Sequence, residues 1–287
     1  MKAKTIKAIL QKKHNQFVAS IEDEEIKALV DKNSIITGGS IVSMLLNETP
    51  KDFDYYFTDK ETCLKVAQYF VDKFNKRHGK DIFVEEKEDG RVKIYIKSKG
   101  VAQDADYLNP DTLEEGGEAP QEESEEDKNA YRPVFLSANA ITLTGRIQLV
   151  VRFYGSAEDI HENYDFVHCT CYWTSDDGEL VLPREALEAI LTKELVYNGS
   201  KYPLCSIIRT KKFIRRGWQI NAGQYVKMAL QLNGLDLLDM SVLEDQLTGV
   251  DSAYFYQVIN YIKNQQANNP GFEIDTMYLI EVINRIF

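Results

Sequence analysis

Long hydrophobic runs are absent from this 287-residue chain, and cysteine, proline and histidine are scarce. No uncharged apolar stretch approaches the roughly 20 residues that a membrane-spanning helix needs, and no signal-peptide core follows the Lys-rich amino terminus, so neither membrane insertion nor secretion is expected. The four cysteines, Cys63, Cys169, Cys171 and Cys205, are too few and too scattered for a disulfide framework, which fits a reducing cytoplasm. Cys169 and Cys171 have no second Cys or His pair at finger-like spacing, which argues against structural zinc. Basic charge is also short: 34 Lys and Arg against 45 Asp and Glu leave a net charge of −11.

That total hides its distribution. Nine of the acidic residues, with no Lys or Arg among them, fall in 111–127, and the remainder of the chain is close to neutral. Lys211, Lys212, Arg209, Arg215 and Arg216 cluster within eight positions. Local charge decides whether a polyanion can dock, so the overall acidity does not exclude a nucleotide or nucleic-acid partner. With 44% apolar residues the chain can bury a sizeable core, as two cooperating domains.

Apolar residues in the first thirty positions recur at helical spacing, and Ser34 to Thr37 form a short strand. Gly38-Gly39-Ser40 break it, and Ile41 to Leu46 read as a buried helix that starts at the break and ends before Pro50. Residues 60–76 carry a helical stripe, and Val92, Ile94 and Ile96 alternate as a strand. Between about 100 and 133 the composition turns to Glu, Gly, Pro, Ser and Gln, the signature of a flexible acidic insertion. Strand character returns over Asn139 to Tyr154, a short helical connector follows over Ala157 to Asn163, and Tyr164 to Trp173 alternates as a further strand. From Pro183 onward the pattern is helical, with a long segment from about Ser206 to Gln231. The expected fold class is α+β: a head over 1–180 with a mixed or antiparallel sheet flanked by helices, the acidic insertion within it, and an all-helical domain over 181–287.

The chemistry-bearing residues lie early. Asp52 and Asp54, separated by one residue, project to the same side of an extended strand, and the Gly38-Gly39-Ser40 turn upstream lets backbone approach a phosphate closely. Two hard carboxylates suit magnesium, and backbone N–H groups at a helix start suit phosphate oxygens. On a regular helix Arg209, Lys212 and Arg216 share one face that can grip phosphate, Lys211 and Arg215 a neighbouring one; a solvated basic face paired with the acidic insertion is the alternative. His161 is expected to be an exposed connector residue and His168 a structural one. Tyr55, Tyr56, Tyr164, Tyr172 and Trp173 can stack on bases, but aromatics in strands belong more often to a core.

This order, with the later Tyr202-Pro203-Leu204 and Ile207 to Gly217 segments, resembles the DNA polymerase beta-like nucleotidyltransferase superfamily, nearest its tRNA nucleotidyltransferase and bacterial poly(A) polymerase branch. The resemblance covers roughly residues 34–218. It implies a two-metal Mg2+ site on Asp52 and Asp54, with the triphosphate of an NTP, ATP among the candidates, held by Gly38, Gly39 and Ser40 and by Arg209, Lys212 and Arg216. Gln148 stands where the superfamily often has a third carboxylate, so Asp165, whose Asp165-Phe166 pair resembles the family's Asp-Phe, is taken as the third catalytic and metal-binding residue, with ribose binding as its alternative role. Asn163-Tyr164 replace the family's two arginines. The implied activity is template-independent transfer of a nucleoside monophosphate to an RNA 3′ end, tRNA included. A small-molecule or protein hydroxyl as acceptor, or a catalytically silent binding or assembly module, are the alternatives, and a compact member of this kind suits a phage or mobile element.

Overall fold

The computed structural model describes residues 1–87, 90–96, 102–103, 131–247, 262–265, 267–269 and 275–286. Most of the acidic insertion expected at about 100–133 lies outside the described residues. The chain divides into two compact units, Met1–Glu162 with His168–Ile190, and Asn163–Val167 with Leu191–Phe287.

In the first unit, helix α1 (Ala3–Ala19) buries Ile6, Leu10, His14 and Phe17, a spacing of three to four that puts all four on one face. Helix α2 (Glu24–Asn33) starts where the Asp23 carboxylate accepts hydrogen bonds from the backbone N–H groups of Glu25 and Ile26, at 2.9 and 3.0 Å. Strand β1 (Ser34–Thr37), helix α3 (Gly39–Leu45) and strand β2 (Phe53–Phe57) follow. Helix α4 (Lys60–His78) is capped by Asp59 and stopped by Gly79 at φ +60°, a left-handed conformation that glycine adopts at little cost. The expected strand at Val92 exists as β4 (Val92–Ile96), paired with β3 (Ile82–Glu86) in a two-stranded sheet of its own. Next come β5 (Ala102–Gln103), β6 (Pro133–Leu136), β7 (Ala140–Leu143), β8 (Ile147–Tyr154), α5 (Ala157–His161), β9 (Tyr172–Thr174), β10 (Leu180–Val181) and α6 (Arg184–Thr192).

The single strand expected over Asn139 to Tyr154 is a hairpin. Gly145, at φ +71°, turns β7 into β8. The expected strand over Tyr164 to Trp173 is also interrupted: only Tyr172–Thr174 joins the sheet, and Asn163–Val167 belongs to the second unit.

Eight strands form one mixed sheet in the order β10-β9-β1-β2-β8-β7-β6-β5, in which β2 and β8 run parallel and the other neighbours antiparallel. One face is apolar. There Ile36, Tyr55, Trp173 and Leu149, each at most 1% exposed, lie beneath α1 and α4, with Phe17 edge-on to Tyr55 at 5.3 Å. Burial of Phe53, Tyr55 and Phe57 alone anchors β2, at about 1.5–3 kcal/mol per large apolar side chain.

The second unit is built of helices: α7 (Pro203–Arg215), α8 (Ala222–Leu232), α9 (Met240–Leu247) and α10 (Thr276–Ile286). The long helix expected from Ser206 to Gln231 is two helices, because Gly217 at φ +81° ends the first and Asn221 caps the second. The whole is a mixed α/β fold, a sheet flanked by helices and followed by carboxy-terminal helices, as expected from the sequence.

Candidate active site

The side chains of a strand alternate between the two faces of its sheet, so residues paired across neighbouring strands stand in a row on one face. Register places Tyr172 opposite Thr37, Thr37 opposite Asp54, Asp54 opposite Gln148 and Gln148 opposite Thr142. Five consecutive strands therefore contribute a polar row to the face opposite the apolar core. Asp54 is at its centre and half-buried. Asp52 is exposed just ahead of β2, with the buried Phe53 between the two carboxylates directed to the other face. Asp54 thus stands on β2, and Asp52 precedes the strand by one position.

The Gly38-Gly39-Ser40 turn continues from Thr37. Gly38 has φ +86° and ψ −147°, a conformation that only glycine adopts without strain. A Cβ at Gly39 would meet nothing within 4 Å, so the space beside the turn is open. Ser40 is 1% exposed, and its Oγ has no hydrogen-bond partner among the described residues. An unsatisfied buried hydroxyl costs free energy, and this one sits at the turn expected to receive phosphate oxygens.

Two sequence-selected residues come together elsewhere. Asp165 and Arg209 form an ion pair within the second unit, Arg209 Nη1 to Asp165 Oδ2, with side-chain exposures of 35% and 5%. The Asp165 carbonyl accepts the Asn198 N–H at 2.8 Å, the Val167 N–H donates to the Val196 carbonyl at 3.0 Å, and Phe166 packs edge-on to Phe213 at 5.5 Å. Sequence reasoning assigned Asp165 to metal and Arg209 to phosphate; their mutual pairing was outside it. Lys212 is exposed on α7, and Arg216 lies past the end of that helix, beside Gly217.

Among the described residues no group of three or more His, Cys, Asp or Glu side chains converges as a metal site. The donor set is the Asp54 carboxylate with the Gln148 amide opposite it, and the exposed Asp52 carboxylate two positions ahead. That set fits magnesium, which binds through one or two carboxylates and completes its shell with water and substrate phosphate.

His161 and Thr37 were missed. His161 is half-buried rather than exposed, and its Nε2 lies 2.8 Å from the Thr37 hydroxyl. Burial pushes its pKa down to about 4, with Glu158 opposing the shift. His168 is fully buried, as its structural reading requires. No signal in the sequence joins positions 37 and 161, which lie 124 residues apart on β1 and α5.

The family model for Gabija anti-defense 2 proteins matches residues 8–193, which contain the sheet, the turn and both carboxylates. The chain belongs to the Gabija anti-defense 2 family. No curated protein matches this Gabija anti-defense 2 family member. Its structure matches that of a tRNA nucleotidyltransferase complexed with a primer tRNA and an incoming ATP analog, with 14% identity, a TM-score of 0.36, and coverage of 85% of this chain and 61% of the other. The Thermotoga maritima CCA-adding enzyme complexed with tRNA gives 12%, 0.39, 92% and 57%, and the Bacillus stearothermophilus CCA-adding enzyme in complex with CTP gives 13%, 0.37, 90% and 52%. The chain spans less than two thirds of the length of these solved structures.

Proposed function

We propose that this Gabija anti-defense 2 family member is a magnesium-dependent nucleotidyltransferase that moves a nucleoside monophosphate from an NTP to an acceptor hydroxyl. The observation that carries the reading is the polar row centred on Asp54, with Asp52 two positions ahead of it and the open Gly38-Gly39-Ser40 turn continuing from Thr37. Asp52 and Asp54 hold the metal; when bound, magnesium supplies positive charge to the phosphoryl and leaving pyrophosphate oxygens. The turn's backbone N–H groups and the Ser40 hydroxyl bind the β- and γ-phosphates and orient the α-phosphate toward the carboxylates. The apolar face beneath β2 fixes the strand, so the two carboxylates need no reorganisation as charge develops.

An RNA 3′ end is the acceptor implied by the sequence resemblance. Membership of a family described as anti-defense favours a second acceptor, a hydroxyl on a protein or small molecule of an antiphage defence system. The experiment that separates them presents each α-labelled NTP with magnesium to a mixed tRNA and oligo-RNA pool, and separately to extract of cells carrying a Gabija system. Label in RNA supports the first acceptor, and label in protein or a small molecule supports the second. No label in either, from a folded protein, retires transfer in favour of a silent binding module.

A further inference from the structure

Thr37 is the last residue of β1 and the neighbour of Gly38. Its side chain is fully buried, and its hydroxyl has three neighbours: His161 Nε2 at 2.8 Å, the Cys171 carbonyl at 3.0 Å and the Cys169 carbonyl at 3.4 Å. A hydroxyl has one proton to donate and lone pairs with which to accept. With the proton directed to the nearer carbonyl, the remaining short contact is a bond donated by His161 Nε2–H to Thr37 Oγ1. The His161 ring is held further by Tyr172, edge-on at 5.5 Å.

The partners of Thr37 have a particular place in the chain. Backbone leaves the first unit after Glu162 and returns to it at His168. His161 precedes that excursion and Cys169 and Cys171 follow it, so one hydroxyl gathers both of its ends. The same residue is paired with Asp54 across β2 and leads into the Gly38-Gly39-Ser40 turn.

We propose that His161 is a positioning residue: through the Thr37 hydroxyl it holds the Gly38-Gly39-Ser40 turn in register with Asp54, and so sets the affinity of the site for the triphosphate of an NTP. This role rests on the nucleotidyl-transfer reading.

The test compares His161→Leu and His161→Gln with wild type in three measurements: KM and kcat for Mg·NTP, thermal stability, and amide hydrogen exchange at 38–43. His161→Leu is expected to raise KM about tenfold, the effect of one net hydrogen bond, with kcat changed less than about threefold. Exchange at the turn accelerates in the same variant. His161→Gln, whose side-chain N–H can meet the same hydroxyl, is expected to bring KM and exchange back to within about threefold of wild type. An unchanged KM in a destabilised His161→Leu overturns the proposal, as does equal loss in both variants. If wild type itself turns over no NTP, the nucleotidyl-transfer reading fails and with it the assignment of the turn to triphosphate. The exchange data then decide the clasp alone: unchanged exchange at 38–43 in His161→Leu removes it too.

Discussion

Replacing Arg209 by Ala leaves the Asp165 carboxylate almost completely enclosed, with no guanidinium at Oδ2 and no hydrogen-bond partner at Oδ1 among the described residues. Breaking a buried pair on one side costs about 3–5 kcal/mol; the 35% exposure of Arg209 admits water and lowers the expectation to about 2–4 kcal/mol. For a unit with a urea m-value of about 1.5 kcal/mol/M, a loss of about 3 kcal/mol lowers the midpoint by about 2 M. The chain has two tryptophans, Trp173 in the first unit and Trp218, buried against Phe213, in the second. Trp173→Phe therefore makes fluorescence a reporter of the second unit, and Arg209→Ala, Asp165→Asn and the double variant are compared in that background. The double variant is expected to be more stable than the sum of the single losses by about 1–3 kcal/mol, the coupling of residues in direct contact. A midpoint shift below about 0.3 M for Arg209→Ala, or strict additivity, would show that the pair contributes no such stability.

Tyr55→Phe removes a buried hydroxyl that has no hydrogen-bond partner among the described residues and whose pKa is pushed well above 10.0 by burial. Stability in urea should stay level or rise by up to about 1 kcal/mol, and a fall of that size would contradict the assignment. Gly145→Ala drives a Cβ into the Tyr131 ring at φ +71°, so a loss of about 1–3 kcal/mol is expected by thermal unfolding. Burial lowers the pKa of His14 below 6.5 and that of His161 to about 4. The unfolded chain then takes up these protons first, so their contribution to stability is complete above about pH 6.5 and declines as pH falls toward 4. Unfolding between pH 7 and 4.5 should show that decline, shallower in His161→Gln; the same slope in both would dismiss His161 as a source.

The local sequence was enough for the strand, turn, helix and strand that carry Gly38 to Asp54, because apolar periodicity, a paired glycine and an Asp-x-Asp spacing all act over a few residues. It was not enough where pairing is long-range. Tyr164 to Trp173 alternates as a strand should, yet its first half is held in the second unit by Tyr197 and Asn198, more than thirty positions away. The Asp165–Arg209 pair spans 44 positions and the Thr37–His161 bond 124, and neither leaves a local pattern. Two breaks rest on single glycines: Gly145, which folds one strand into a hairpin, and Gly217, which divides one helix into two.

Asp52 and Asp54 are proposed to serve transfer at the α-phosphate of an NTP. The most direct measurement incubates the protein with magnesium, the acceptor pools above and NTP labelled at either the α- or the γ-phosphate, with Asp52→Asn and Asp54→Asn as controls of verified fold. The expected result is acceptor label from the α-position only, lost in both variants. Label carried from the γ-position, or α-label that persists in the folded variants, would contradict it.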